Sequence, residues 1–183
     1  IEQNQKDGKS WAEYARVLYL NGNKSEGRRA IESARSVVDD KSILWVNNAE
    51  LDMLLRDGDD AAAVKKAEEF VKQNDEIQAS ETKKLEAEGV KVPAQLLDSD
   101  SVIQLYLLQA TAQGNVGKFE DAIKTLDKVM QLDPEAADTL VMRGYAKLHA
   151  GDNAGAKKDF ENALRYLPDD ANAKAGLEQA SGK

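Results

Sequence analysis

The chain has 183 residues, no cysteine and a net charge of -8, from 25 basic and 33 acidic side chains. That length suits one domain able to bury its own core, and the missing thiols exclude disulfide frameworks, thiolate zinc sites and cysteine nucleophiles. The acidic balance excludes nucleic acid as the expected partner, because the chain's field repels phosphate backbones. With 42% hydrophobic and 5% aromatic residues, 12 Gly and 3 Pro, the composition is that of a helix-rich globular protein. No run of about 18 apolar residues occurs, so no direct membrane insertion is expected within this chain. Starting at Ile1, it reads as a soluble domain, cytoplasmic or the soluble part of an anchored or exported protein whose N-terminus has been trimmed.

In chain order, apolar periodicity predicts helical hairpins over about 10–38, 42–73, 101–131 and 135–166, then a short helix over about 170–180. Ser10 with Glu13 forms a capping box in front of the first hairpin, and Ser101 with Gln104 does the same for the third. Asp133-Pro134 and Pro168-Asp169 fit helix boundaries, since proline suits a first turn and not an interior. Between hairpins two and three lies an insertion over about 76–100, read as a lengthened helix followed by an irregular return through Gly89 and Pro93. Its simplest role is a tolerated surface insertion; the alternative is a flap over a binding face.

Self-similarity fixes the architecture. Tyr106 and Leu140, Gly117 and Gly151, Ala122 and Ala156, and Pro134 and Pro168 are each 34 residues apart, as are Trp11 and Trp45, and Ala15 and Ala49. Trp45 and Tyr106 are 61 apart, so one interruption of 27 residues separates two pairs of repeats. In the last unit Leu140, Val141, Gly144 and Leu148 stripe one helix and Ala156, Phe160, Ala163, Leu164 and Leu167 the other, the spacing of two faces packed together. Gly144 and Ala156 are small where backbones approach, and Phe160 is large where the space opens.

These residues resemble the tetratricopeptide repeat, a 34-residue helix-turn-helix with small, aromatic and proline residues at set places. The fourth unit supplies Leu140, Gly144, Ala156, Phe160, Ala163 and Pro168, and the third Tyr106, Ala110, Ala122, Leu126, Val129 and Pro134. The first supplies Trp11, Ala15, Gly27, Ile31 and Ala34, with Asp39 in place of the proline. The second matches at Trp45 and Ala49, but its turn, RDGDDAAA, reads about two residues long, leading to Ala63, Ala67 and Phe70. Polar pairs stand at usually apolar places: Asn48 and Asp52, Gln109 and Gln113, Arg143 and Lys147. The resemblance implies an all-α fold: a right-handed α-solenoid of about four such hairpins plus a C-terminal capping helix, with the insertion between repeats two and three. It implies one domain over 1–183, with repeats about 8–41, 42–77, 103–136 and 137–170 and a cap about 171–180. Stacking buries each hairpin's stripe, and the final helix covers the last one, Ala173 and Leu177 inward and Lys174, Glu178 and Gln179 outward.

No catalytic group, metal site or cofactor is expected. His149 is the lone histidine and lacks a visible partner for base catalysis. Asn21 to Glu32 has some letters of a calcium loop, but Asn21 is neutral where an acid is needed and Glu26 stands where the loop requires glycine. Asn23-Lys24-Ser25 has the letters of a glycosylation sequon, which matter only on a eukaryotic secretory route. A DNA-reading hairpin is disfavoured because Asp159 and Glu161 answer Lys157 and Lys158.

Carried over from the family, the groove-facing places hold Ala12, Glu13, Arg16 and Tyr19, then Ile43, Val46, Asn47, Glu50 and Met53. Repeat three contributes Gln104, Leu107, Leu108 and Thr111, and repeat four Asp138, Val141, Met142, Tyr145, Leu148 and His149. Members that grip peptide C-terminal carboxylates use lysine, asparagine and arginine where this chain has Ala12, Arg16, Asn47, Gln104 and Leu108. Only Asn47 matches, so that clamp is not expected. A groove rich in Leu, Val, Met and Tyr fits a non-enzymatic scaffold or adaptor that binds an apolar or amphipathic protein segment. The alternative is self-assembly, with repeats stacked or swapped between copies of the chain.

Overall fold

The structure, a computed structural model, describes residues 7–93 and 96–182. Residues 1–6 and 183 of the expected 1–183 domain, and 94–95 of the expected insertion, lie outside the described residues. Every regular element among the described residues is helical: α1 Gly8–Leu20, α2 Lys24–Arg35, α3 Ile43–Arg56, α4 Asp60–Ala87, α5 Ser99–Asn115, α6 Phe119–Leu132, α7 Ala137–His149, α8 Asn153–Tyr166 and α9 Ala171–Ala180. The fold is an all-α array of helical hairpins of the solenoid class. It divides into two compact units, Ile1–Leu108 and Gln109–Lys183, the boundary falling within α5. No helix among the described residues is long and apolar enough to cross a membrane.

Aspartates start several of these helices. Asp59, Asp152 and Asp170 accept from the backbone N–H of Ala62, Gly155 and Ala173 at 3.3, 2.8 and 2.6 Å. Each satisfies a helix donor that has no partner within the helix and places negative charge at the positive end of the helix dipole. The first helix follows this rule and departs from the expected Ser10 capping box. Asp7 is its cap, accepting from Lys9 N–H at 3.1 Å, while Ser10 sits inside the helix and donates its hydroxyl to Asp7. Ser101 likewise falls inside α5, which begins at Ser99, and its hydroxyl donates to the Asp98 carbonyl at 2.9 Å.

All four hairpin turns are three residues long with a positive-φ glycine in the middle: Gly22, Gly58, Gly117 and Gly151, with φ between 74° and 89°. This left-handed conformation carries no steric penalty in glycine. The second turn is therefore not extended. Gly22 and Gly58 are 36 residues apart, against 34 for Gly117 and Gly151, and the additional length lies upstream, where Ser36–Ser42 joins α2 to α3. Asp133–Ala136 is the corresponding link from α6 to α7. Aligned on the turns, Asn47 and not Trp45 is the counterpart of Trp11, so α3 is rotated by two residues from the register that the tryptophan spacing implies.

In the unit Gln109–Lys183, the core gathers Leu140, Ala156, Phe160, Ala163 and Ala173, with Leu177 of α9 packed against it. A Cβ on Gly144 would lie 2.6 Å from Phe160 Cε1, which explains why a residue without a side chain is required there. Helix α9 packs on both α7 and α8 and presents Lys174, Glu178 and Gln179 to solvent. In the other unit, Leu51, Ala67, Phe70, Leu105 and Leu108 form the cluster. Helix α4 continues well past it: Ile77 is buried, and Glu81 pairs with Lys41 of the α2–α3 link at 2.9 Å. Much of the sequence in excess of a plain repeat is thus the outer part of α4, braced on that link.

Most of the polar residues at usually apolar places have a polar partner. Arg143 Nε and Nη2 donate to the two Asp159 carboxylate oxygens at 2.8 and 2.7 Å, Lys147 pairs with the same carboxylate at 2.7 Å, and Asp127 takes Arg143 Nη1 at 2.7 Å. Asp159 is 2% exposed, so these cations offset its desolvation. One repeat earlier the same two places hold a neutral pair, Thr125 donating to Gln113 at 2.9 Å. In the N-terminal unit, Asn48 donates to the Ser101 carbonyl at 2.8 Å.

Candidate functional site

A first helix in each hairpin ends just before its glycine turn, so its last two turns carry a pair of residues four apart on one face. Those pairs are Arg16 and Leu20, Asp52 and Arg56, Thr111 and Asn115, and Tyr145 and His149. Each unit has an open concavity lined by two of the four pairs.

In the N-terminal unit the concavity is about 400 Å³, and Glu13, Val17 and Gln104 join Arg16, Leu20, Asp52 and Arg56 around it. Its charges cancel among themselves. Arg56 Nε donates to Asp52 at 2.9 Å, Arg16 lies 3.8 Å from the same carboxylate, and Glu13 takes Arg16 Nη1 at 3.5 Å. Val17 and Leu20 are 54% and 61% exposed at its edge. Nearby, the hairpin ends are tied by Asp57, which accepts from Tyr19, Lys24 and Arg28. The Lys24 hydrogen bond, followed by that of Tyr19, holds the Asp57 carboxyl below the usual carboxylate range, and Lys24 is raised in return.

In the C-terminal unit the concavity is about 310 Å³ and its chemistry is apolar. Helix α7 contributes Met142, Tyr145, Ala146 and His149; α6 contributes Phe119, Ala122 and Leu126; α5 contributes Ala110, Thr111, Gly114 and Asn115. The small residues leave the space, and the large ones wall it. Phe119 and His149 stack with centroids 4.9 Å apart and planes at 16°, forming a flat aromatic rim across the hairpin ends. Tyr145 is held from behind: its ring meets Phe160 edge-on at 5.1 Å, and its hydroxyl donates to the Asn172 carbonyl at 2.9 Å. The basic residues Arg143 and Lys147 of α7 turn away from this space, because both are bound to Asp159. Hydrogen bonding to Asp159 is the main cause that raises Arg143 and keeps it charged.

Of the nineteen residues expected to face a groove, Thr111, Met142, Tyr145 and His149 come together at this concavity. Val141 packs against the Phe160 cluster, Gln104 lines the N-terminal concavity, Leu107 is half-buried, and Leu108 is part of the core. The two-residue rotation of α3 accounts for those on that helix. Ile43, Val46 and Asn47 are buried, Asn47 accepting from Arg35 at 2.7 Å and donating to Gln73 at 3.0 Å, while Glu50 is bound by Arg35. The one residue matching a carboxylate clamp is therefore engaged inside the protein. Asp52 and Arg56 stand where that register places the groove, and the 36-residue spacing of the turn glycines carried the signal. Phe119 also escapes sequence reading: it opens α6 directly after the turn, where the next repeat has Asn153. An aromatic residue at an otherwise polar turn is the trace it leaves.

Residues 103–135 match the tetratricopeptide repeat family. Over 78 residues the chain is 31% identical to the DnaJ protein P58IPK homolog A of Oryza sativa subsp. japonica, a match spanning 43% of this chain and 16% of that protein. The structure is similar to YrrB, a TPR protein with an unusual peptide-binding site, with TM-score 0.68 and 13% identity over 100% of this chain and 80% of that one. It is also similar to the second TPR domain of human RPAP3 in complex with an HSP70 peptide, with TM-score 0.54 and 20% identity over 75% of this chain and 93% of that one. The fold is that of tetratricopeptide-repeat proteins.

Proposed function

We propose that this chain is a non-enzymatic interaction module that binds a protein segment at its C-terminal concavity, seating a bulky apolar side chain between Met142, Tyr145 and the Phe119–His149 stack. The observation that carries this reading is the concavity itself, about 310 Å³ of open space walled by apolar and aromatic side chains on three helices. Exposed apolar concavities with a few polar groups at the rim are where proteins seat side chains of partners. Tyr145 supplies a rigid wall at low entropic cost, since Phe160 and Asn172 already fix its ring. His149 is exposed and presses its ring on Phe119, a contact surface and not a shielded base with an orienting partner. YrrB and the RPAP3 domain, similar in fold, bind peptides, which favours the same use of the repeat here.

The test is selection from a random peptide display library, followed by affinity measurement on the selected sequences. Selected peptides share a large apolar residue, and Met142→Lys weakens them at least about tenfold, the cost of facing that residue with a charge. Peptides that bind Met142→Lys and wild type alike contradict the reading.

A second reading, self-assembly, draws on a different surface. Tyr14, Val17 and Leu20 of α1 are 43%, 54% and 61% exposed. Light scattering over a concentration series decides it: a dimer abolished by Val17→Glu favours self-assembly, and a monomer at all concentrations rejects it.

A further inference from the structure

Charge on α7 is distributed unevenly between the helix's two faces. Arg143 and Lys147 turn toward Asp159 and are neutralised there. Asp138 behaves differently. It is exposed and makes no ion pair or hydrogen bond among the described residues. By helical spacing it precedes Met142 by four residues and Tyr145 by seven, which puts it on the face that lines the concavity, about 6 Å beyond Met142 along the axis. The α7 N-terminus offsets only about half of one charge, so this end of the face stays negative. The whole chain adds a field of the same sign as Asp138, with a net charge of -8.

Resting on the binding reading above, we infer that the segment seated in the C-terminal concavity is basic: a bulky apolar residue flanked, on the Asp138 side, by lysine or arginine. The apolar residue supplies the contact with Met142 and Tyr145. The flanking cation meets the one free acid on that face and is steered to it by the chain's field. An acidic flank would face Asp138 with like charge and would have no free cation on α7 to meet.

Three fluorescein-labelled nonapeptides test this, each with a central Leu-Phe-Leu and flanks of lysine, glutamate or glutamine, titrated by anisotropy against the intact protein. At low salt the lysine peptide binds roughly threefold to tenfold tighter than the glutamine peptide and the glutamate peptide more weakly still, as expected for a few exposed charge pairs. Asp138→Asn removes most of that preference and Asp138→Lys inverts it; 0.5 M NaCl flattens it in wild type. Circular dichroism melting confirms that these exposed-site variants stay folded. A lysine preference that survives Asp138→Lys is attraction to the acidic chain at large and overturns the inference. Equal binding of all three peptides, abolished by Met142→Lys, overturns the inference and keeps the binding reading. No binding by any peptide, or binding indifferent to Met142→Lys, overturns both.

Discussion

The two concavities occupy matching places in the repeat and differ in what the chain installs there. The N-terminal one carries Arg16, Asp52 and Arg56, whose charges face the open space and answer one another. The C-terminal one carries Thr111, Tyr145 and His149, and its ionic residues are withdrawn behind it onto the buried Asp159. One backbone arrangement thus gives a charge-paired polar surface in one unit and an open apolar one in the other. Exposed ion pairs hold little energy and lose little when changed, whereas apolar space open to water gains by being filled. That contrast is why the C-terminal unit is the binding site proposed here.

The largest effect expected from breaking this contrast is on stability. Asp159→Ala leaves Lys147 without its partner and Arg143 with Asp127 alone, beside a buried vacancy, and costs about 3–5 kcal/mol in urea unfolding of the C-terminal unit. Asp52→Ala, at the more exposed N-terminal pairs, costs about 1 kcal/mol or less. Equal costs would show that the two ionic groups are not differently buried. Next comes binding: Met142→Lys weakens a selected peptide at least about tenfold, while Arg56→Glu changes it less than about twofold if the N-terminal concavity is a bystander.

The smallest effect is on pH dependence. The folded Asp57 carboxyl titrates below its unfolded counterpart, so its ties to Tyr19, Lys24 and Arg28 contribute fully above the usual carboxylate range. They are lost as pH falls through the depressed folded value. Asp57→Asn should therefore flatten the acid limb of the N-terminal unit's melting curve and leave the C-terminal unit's unchanged.

Much of this was legible in the sequence, and the residues show where legibility stops. Gly144, Ala156 and Phe160 read as close packing because a strict 34-residue period fixes their places, and the structure packs Phe160 on Gly144. The second repeat misleads because its tryptophan keeps that period by coincidence while its turn glycine does not. A side-chain match of one bulky residue is a weaker ruler than a glycine forced to positive φ, which the backbone cannot place elsewhere. Asn47 and Val46 lie in the interior and Glu50 is tied to Arg35 as a direct consequence. Phe119 was invisible for another reason: its partner His149 is thirty residues away, and the stack exists only once the hairpin ends are brought together. The polar departures at Arg143 and Lys147 needed Asp159 in the same view, since none of the three makes sense alone in a core position.

Methyl-resolved NMR of the intact protein, titrated with the lysine-flanked peptide, tests the central claim most directly. The largest shifts are expected at the methyl groups of Met142, Ala146, Ala122 and Leu126, with Val17 and Leu20 unmoved. Shifts concentrated at Val17 and Leu20, with Met142 silent, would contradict it.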